Sequence, residues 1–331
     1  MSMHSKSVYI ARFGSASQVV SRMQDAFSWM GDGMIKADSR VFIKPNLTYP
    51  FYKTGVTTSP DFMEALVQVL LDTTRHITFV ESDGGSNAWT ADQAMAGHGI
   101  AELCQRYGIR MMNLTERPRR AVVQEINGRR ITIELSAEML DESDLFITMP
   151  VPKVHVMTYL TLGFKNQWGC IPDVKRQRHH PEFDHTILAV NKLLRTRLGV
   201  YDGSYFLDHT GPMEGNPIRK DMVVMSNDIG SGDLICSHLM QIPATKASHL
   251  RLAQKVGMMP SRIGDVRLNC SIDEFIEERF HLQRTPMNLL TLAAFHNKLL
   301  TGLFYDSRYA KPLHQLLYSL RGRPKDFSPR W

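Results

Sequence analysis

Two widely separated stretches carry the residues best suited to chemistry: Lys44-Pro45-Asn46, and Pro152-Lys153-Val154-His155 followed by Lys165-Asn166. Each places a cation and an amide or imidazole just past the point where an apolar run stops, which is where open α/β sheets bind ligands. A lysine there is a compact point charge for a carboxylate or phosphate. Asn46 and Asn166 have two uses in such loops, capping a turn or holding a ligand, and both stay open. His155 follows Lys153 by two, so an extended backbone sends both side chains to one side. Beside ammonium groups, Lys165 included, an imidazole is kept neutral and is available as a base.

Carboxylates stand at similar places. Asp202 and Glu214 lie among glycines that let backbone approach a ligand, and they are the expected acid-base partners of His155, ahead of Glu81. Pairing with the lysines is their alternative use. His180 and His185, near His179, Glu182 and Asp184, leave a divalent metal open, although their spacing does not match the helical His-Glu-x-x-His arrangement. Cys170 serves as a nucleophile only if neighbouring cations activate it, and burial as a plain thiol is its commoner use.

The elements that must position these groups alternate along the chain. Strands are predicted at Ser7–Ala11, Arg40–Lys44, Ile77–Glu81, Leu145–Met149, Leu198–Asp202 and Met222–Ser226. Helices are predicted over residues 15–30, from Ser59-Pro60-Asp61 onward, within 91–107, over about 187–198 and over 233–240. Continuous apolar centres such as Val41-Phe42-Ile43 indicate burial on both faces, as in parallel sheets, and Pro45 ends its strand. Asn127-Gly128 inside an alternating run marks a two-residue hairpin, predicting a β-ribbon over Ala121–Leu135. The glycines of Glu81-Ser82-Asp83-Gly84-Gly85-Ser86 match neither the dinucleotide fingerprint nor the Walker pattern. The stretch from Thr158 to His185 is too long for a plain connector, and Tyr159, Leu160, Phe164, Trp168 and Ile171 argue that it is ordered.

Composition sets the outer bounds. With 43% hydrophobic and 22% charged residues over 331 positions, the chain can bury a large core. A net charge of +6 suits an anionic ligand or ordinary solvation. No basic helix or aromatic RNA-binding signature stands out, so nucleic acid is not an expected partner. The four scattered cysteines form no metal motif and read as thiols of a reducing compartment. With no apolar leader and no membrane-length run, the expectation is a cytoplasmic protein without a transmembrane segment.

Taken in order, Lys44-Pro45-Asn46-Leu47, Pro152-Lys153 with His155, Leu162 to Asn166 with Gly169, Asp202-Gly203, Gly211-Pro212 with Glu214-Gly215, and Asp228 with Asp233 resemble the prokaryotic family called domain of unknown function 362. The resemblance spans about residues 40 to 280 and implies a fold and a place for a site rather than a reaction. Many members append a ferredoxin-like domain with cluster-binding cysteines. This chain has none after Cys270, so no iron-sulfur cluster is expected in it.

The expected fold is α/β: a mostly parallel sheet flanked by helices, with a β-hairpin insertion and a helical C-terminal extension. Residues 1–284 form the α/β domain with its site at strand C-terminal ends. Residues 285–331 form the extension, with amphipathic helices over Asn288–Tyr305 and Ala310–Leu320 and the basic tail Arg321 to Lys325. Those helices pack on the core, or meet a protein partner or second copy. The expected activity is that of an enzyme on a small anionic metabolite, by isomerisation, elimination or group transfer. Lys44, Asn46, Lys153, Lys165 and Asn166 hold the substrate, and His155 with Asp202 or Glu214 moves protons. The alternative is a non-catalytic cofactor-binding or redox accessory protein.

Overall fold

In the computed structural model, the described residues are 6–31, 33–85, 88–286, 288–289, 292, 297–305, 307–310, 312–313 and 315. The expected second C-terminal helix lies largely, and the basic tail wholly, outside them.

The chain opens with β1 (Ser7–Arg12), α1 (Ala16–Met30), β2 (Val41–Pro45), α2 (Pro60–Leu71) and β3 (Ile77–Glu81). Two short helices, α3 (Ala91–Gly97) and α4 (Ile100–Tyr107), precede β4 (Arg110–Asn113). They replace one predicted helix because Gly99 takes a left-handed φ of 74°, a conformation glycine adopts without steric cost. β5 (Arg119–Ile126) and β6 (Arg129–Ser136) form the ribbon. Asn127 and Gly128 both have positive φ, 49° and 76°, as a primed hairpin turn requires.

After α5 (Ala137–Glu142) come β7 (Leu145–Met149), β8 (Lys153–His155), β9 (Tyr159–Thr161), the single turn α6 (Gly163–Asn166) and α7 (Phe183–Leu194). The long strands β10 (Leu198–Asp208) and β11 (Asn216–Ser226) follow, then α8 (Ile229–Leu239), α9 (Ser248–Lys255) and β12 (Arg267–Leu268). A helix towards the C-terminal end of the described residues covers Lys298–Tyr305.

The ten-stranded sheet runs β12-β1-β11-β10-β7-β2-β3-β4, with β8 and β9 added beside β10. It is mixed but mostly parallel: β2 pairs in parallel with β3 and β7, β3 with β4, and β10 with β7, whereas β11 is antiparallel to β1 and β10. Within β2, Phe42 joins one core cluster while Val41 and Ile43 join the cluster on the opposite face. Both faces are dry, which is why the strand reads as a continuous apolar run.

From β2 the chain steps outward to β3 and β4, then returns to lay β7 on the other side of β2. The gap above β2 and β7 is therefore a topological switch point, where loops diverge and a crevice opens beyond the strand ends.

Two sequence expectations change here. The strand begun at Leu198 continues through Asp202 to Asp208, because β11 goes on pairing with it across an irregularity between Gly203 and Tyr205. Asp202 is thus inside a strand rather than at its end. The helix expected from Asp233 begins at Ile229, with the Asp228 side chain accepting from the Ser231 N–H as its N-cap. Asp233 is consequently an interior, fully buried residue of α8.

Candidate active site at the sheet switch point

A cavity of about 350 Å³ opens at the switch point. β2 and β3 supply its floor. Lys44, the penultimate residue of β2, is 2% exposed, and its ammonium donates to Glu81 Oε2 at 2.7 Å and to the Pro45 carbonyl at 2.7 Å. Gly169 closes over this pair: a Cβ at that position would sit 2.8 Å from both Lys44 Nζ and Glu81 Oε1. Asn166, at the end of α6, donates from Nδ2 to the Lys44 carbonyl (3.0 Å) and to Thr148 Oγ1 of β7 (2.9 Å), stitching the two diverging strands.

The turn that carries Asn166 and Lys165 is itself anchored. Asp233 accepts from the Gly163 N–H (2.6 Å), the Phe164 N–H (3.0 Å) and the Tyr201 hydroxyl (2.7 Å). Burial pushes this carboxyl up to about 7, against the opposing effect of those donors.

Lys165 is half-buried and lines the cavity. Its Nζ lies 5.9 Å from the centre of the Phe183 ring, and no carboxylate among the described residues pairs with it. Burial pushes the amine down to about 7, so near neutrality it is divided between charged and neutral forms.

His155 also lines the cavity. Its Nδ1 accepts from the Met157 N–H at 3.0 Å and from the Thr158 N–H at 3.4 Å. Burial first, and then the Lys165 and Lys153 charges, hold the ring well below the usual histidine range. The ring is therefore neutral, with its one proton on Nε2. The neutral imidazole expected from sequence is kept, with Nδ1 taken by two backbone amides.

Lys153 shares the extended β8 with His155, but its ammonium turns to the Val56 carbonyl, Thr48 Oγ1 (3.1 Å) and Asn46 Oδ1 (3.4 Å). It stands behind the wall and is tied to it through Asn46 and Thr48, both of which line the cavity. Burial, Lys165 and Lys44 all lower its proton affinity.

The structure thus brings Lys44, Asn46, His155, Lys165 and Asn166 into one wall, with Lys153 directly behind. Asp202 and Glu214 are not part of it. Asp202 is consumed structurally: Oδ2 accepts from the Ser59 N–H at 2.7 Å, and Oδ1 accepts from the Ser204 N–H (3.0 Å) and hydroxyl (2.7 Å). Glu214 is exposed on the turn beyond β10, whose Met213 reaches the cavity instead.

Of the candidate metal ligands, His180 lies in the wall, stacked on Trp168 at 5.7 Å, whereas His185 lies on α7 outside it. Among the described residues no group of three His, Cys, Asp or Glu side chains could hold a metal ion. Cys170 is fully buried, and that burial pushes its thiol up to about 12, the opposite of an activated nucleophile.

Sequence reasoning missed several lining groups. Arg176 is buried and donates to Ser82 Oγ (2.7 Å), the Ile171 carbonyl (2.7 Å) and the Asp83 carbonyl, fixing the loop after β3. Trp89, Trp168 and Phe183 give the cavity an aromatic side.

A model of the family described as Domain of unknown function (DUF362) matches residues 41–238, a span that contains β2, β3, β7, β8, α6 and the cavity they form. The chain belongs to this family. Among curated proteins, the Thylakoid-associated protein sll1697 of Synechocystis is 23% identical over 270 residues, covering 75% of this chain and 77% of the relative. Among solved structures, a Thermotoga maritima protein is similar with a TM-score of 0.43 at 10% identity, covering 69% of this chain and 59% of that one. The lactate racemase apoprotein from Thermoanaerobacterium thermosaccharolyticum is similar with a TM-score of 0.47 at 12% identity, covering 71% of this chain and 57% of that one. The chain therefore spans less than two thirds of either solved structure.

Proposed function

We propose that this family member is an enzyme that binds a small carboxylate or phosphate in the switch-point cavity and moves a proton on it with Lys165. One observation carries the reading. Among the described residues lining the cavity, Glu81 is the one carboxylate, and Lys44 already holds it, while Lys165 faces the same space with no anionic partner. An anion entering there supplies the missing charge, and low local dielectric strengthens the attraction.

The roles follow from the protonation states. Neutral His155 donates Nε2–H to a ligand oxygen, the kind of fixed donor that stabilises charge developing on that oxygen. Lys165, poised near neutrality, takes a proton as the free amine or returns it as the ammonium. Lys44, Asn46, Lys153 and Asn166 hold the wall's geometry and its positive potential. Isomerisation and elimination both need this pair of a movable proton and a stabilised oxyanion; group transfer to a phosphate would use the same donors. Buried free thiols at Cys104, Cys170 and Cys236 suit a reducing, cytoplasmic setting.

The test is isotope exchange. A panel of small carboxylates is incubated with the protein in heavy water and the carbon-bound hydrogens next to the carboxylate are followed by NMR. The expected result is exchange for at least one acid that also raises the unfolding temperature, abolished by Lys165→Met. Stabilisation by an acid without exchange reduces the site to a binding pocket, and no stabilisation by any carboxylate or phosphate removes the anion reading altogether.

A further inference from the structure

The cavity that holds Lys165 has a second chemistry, which proton transfer does not use. Two of the chain's four tryptophans, Trp89 and Trp168, line it together with Phe183, Met157 and Met213. They come from separate segments: Trp89 from the loop after β3, Trp168 from the turn after α6, Phe183 from the start of α7 and Met213 from the turn between β10 and β11. Aromatic and apolar side chains converging beside fixed polar groups are how proteins hold ligands that have an apolar body and a polar head.

The rings are placed with respect to the cation. Trp168 packs on Phe183 with 4.8 Å between centroids, and the Phe183 ring in turn lies 5.9 Å from Lys165 Nζ. The ammonium and the indole therefore flank one phenyl ring, within the span of a single small ligand. Trp89 is seated by the glycines after β3, which match no nucleotide-binding pattern. The Gly84 N–H donates to the Trp89 carbonyl at 2.8 Å, and a Cβ on Gly84 would fall 2.7 Å from the indole. A larger residue at Gly84 would push that ring aside.

Size points the same way. An apolar cavity of about 150 Å³ accepts one benzene molecule, and this cavity measures about 350 Å³. A three-carbon acid held at Lys165 would leave the tryptophans against water, whereas an acid with a ring on a short linker covers them.

Building on the reading of this cavity as an anion site, we propose that its ligand is an aromatic acid, with the carboxylate at Lys165 and His155 and the planar ring against Trp168 and Trp89.

Calorimetric titration of the full chain at about pH 7 tests this with benzoate, phenylacetate and 3-phenylpropanoate, their cyclohexyl counterparts, acetate and propanoate. The best aromatic acid should bind at least about tenfold tighter than acetate or propanoate, from the apolar area its ring covers. It should also bind about threefold tighter or more than its cyclohexyl counterpart, from ring-on-ring contact. Trp168→Leu and Trp89→Leu keep an apolar side chain and should each weaken the aromatic acid about threefold or more, and the cyclohexyl acid less. An aromatic acid that binds no tighter than its cyclohexyl counterpart overturns the inference and leaves the anion reading standing; this wild-type comparison decides the matter even where a tryptophan variant fails to fold. Folded variants that weaken both acids equally overturn it too. Phenylacetamide binding as tightly as phenylacetate removes the anion reading and this inference with it, as does failure of every acid to bind.

Discussion

Removing the Lys165 amine should stabilise the unliganded protein, and the gain should depend on pH in a defined window. The amine ordinarily titrates near 10.5 and is pushed down to about 7 by burial. Below pH 7 it is protonated in both folded and unfolded states, and the folded state carries the full cost of the buried charge. Between 7 and 10.5 the unfolded chain holds a proton that the folded chain has released, so stability rises with pH. Above 10.5 both states are neutral and the cost is gone. Fully buried, such a displacement corresponds to about 5 kcal/mol; Lys165 keeps partial access to water, which brings the working value to about 2–3 kcal/mol. Lys165→Met should therefore be more stable than wild type by that amount at about pH 6, with the difference shrinking towards about pH 9.5. Urea unfolding of the two proteins across that range measures it. A difference that stays flat with pH would refute the claim that burial of this amine, rather than its packing, sets the cost.

Other expectations concern the groups around it. Glu81→Gln leaves Lys44 buried without its counter-charge and should cost about 3–5 kcal/mol in urea unfolding, with Lys44→Met/Glu81→Leu recovering much of the loss. Asp233→Asn turns an amide N–H₂ towards donors that now share a carboxylate, and should cost about 1–3 kcal/mol while weakening anion binding by displacing the turn that carries Lys165. Alkylation of the native protein should label Cys270, which is partly exposed, and spare Cys170, whose thiol is pushed up to about 12; modification of both at equal rates contradicts the burial described.

Much of the sheet was legible because its signals are local. Val41-Phe42-Ile43 and Leu145-Phe146-Ile147 announce strands dry on both faces, Pro45 and Pro150 mark where they stop, and Asn127-Gly128 can turn only one way. The placement of Lys44, His155, Lys165 and Asn166 near strand ends followed from the same punctuation. Asp202 misled because Asp-Gly reads as a strand end, whereas β11 reaches back along β10 and continues the ladder past it. His155 was legible only in part. Its position was readable, but its tautomer is set by the Met157 and Thr158 amides, which fold back onto Nδ1 through a turn that has no sequence period. Trp89 reaches the cavity from a loop and Trp168 and Arg176 from short 3-10 turns, too short for a repeat to mark which side chain turns inward.

The amine at Lys165 and the anion it awaits are joined by one directly measurable quantity, the number of protons taken up on binding. Calorimetric titration at about pH 8 in two buffers of different ionisation enthalpy, using the carboxylate or phosphate that most raises the unfolding temperature, gives that number. Uptake of about one proton by the wild type and none by Lys165→Met is the predicted result, because the anion recharges an amine that is neutral in the empty cavity. Binding with no proton uptake by the wild type would contradict it.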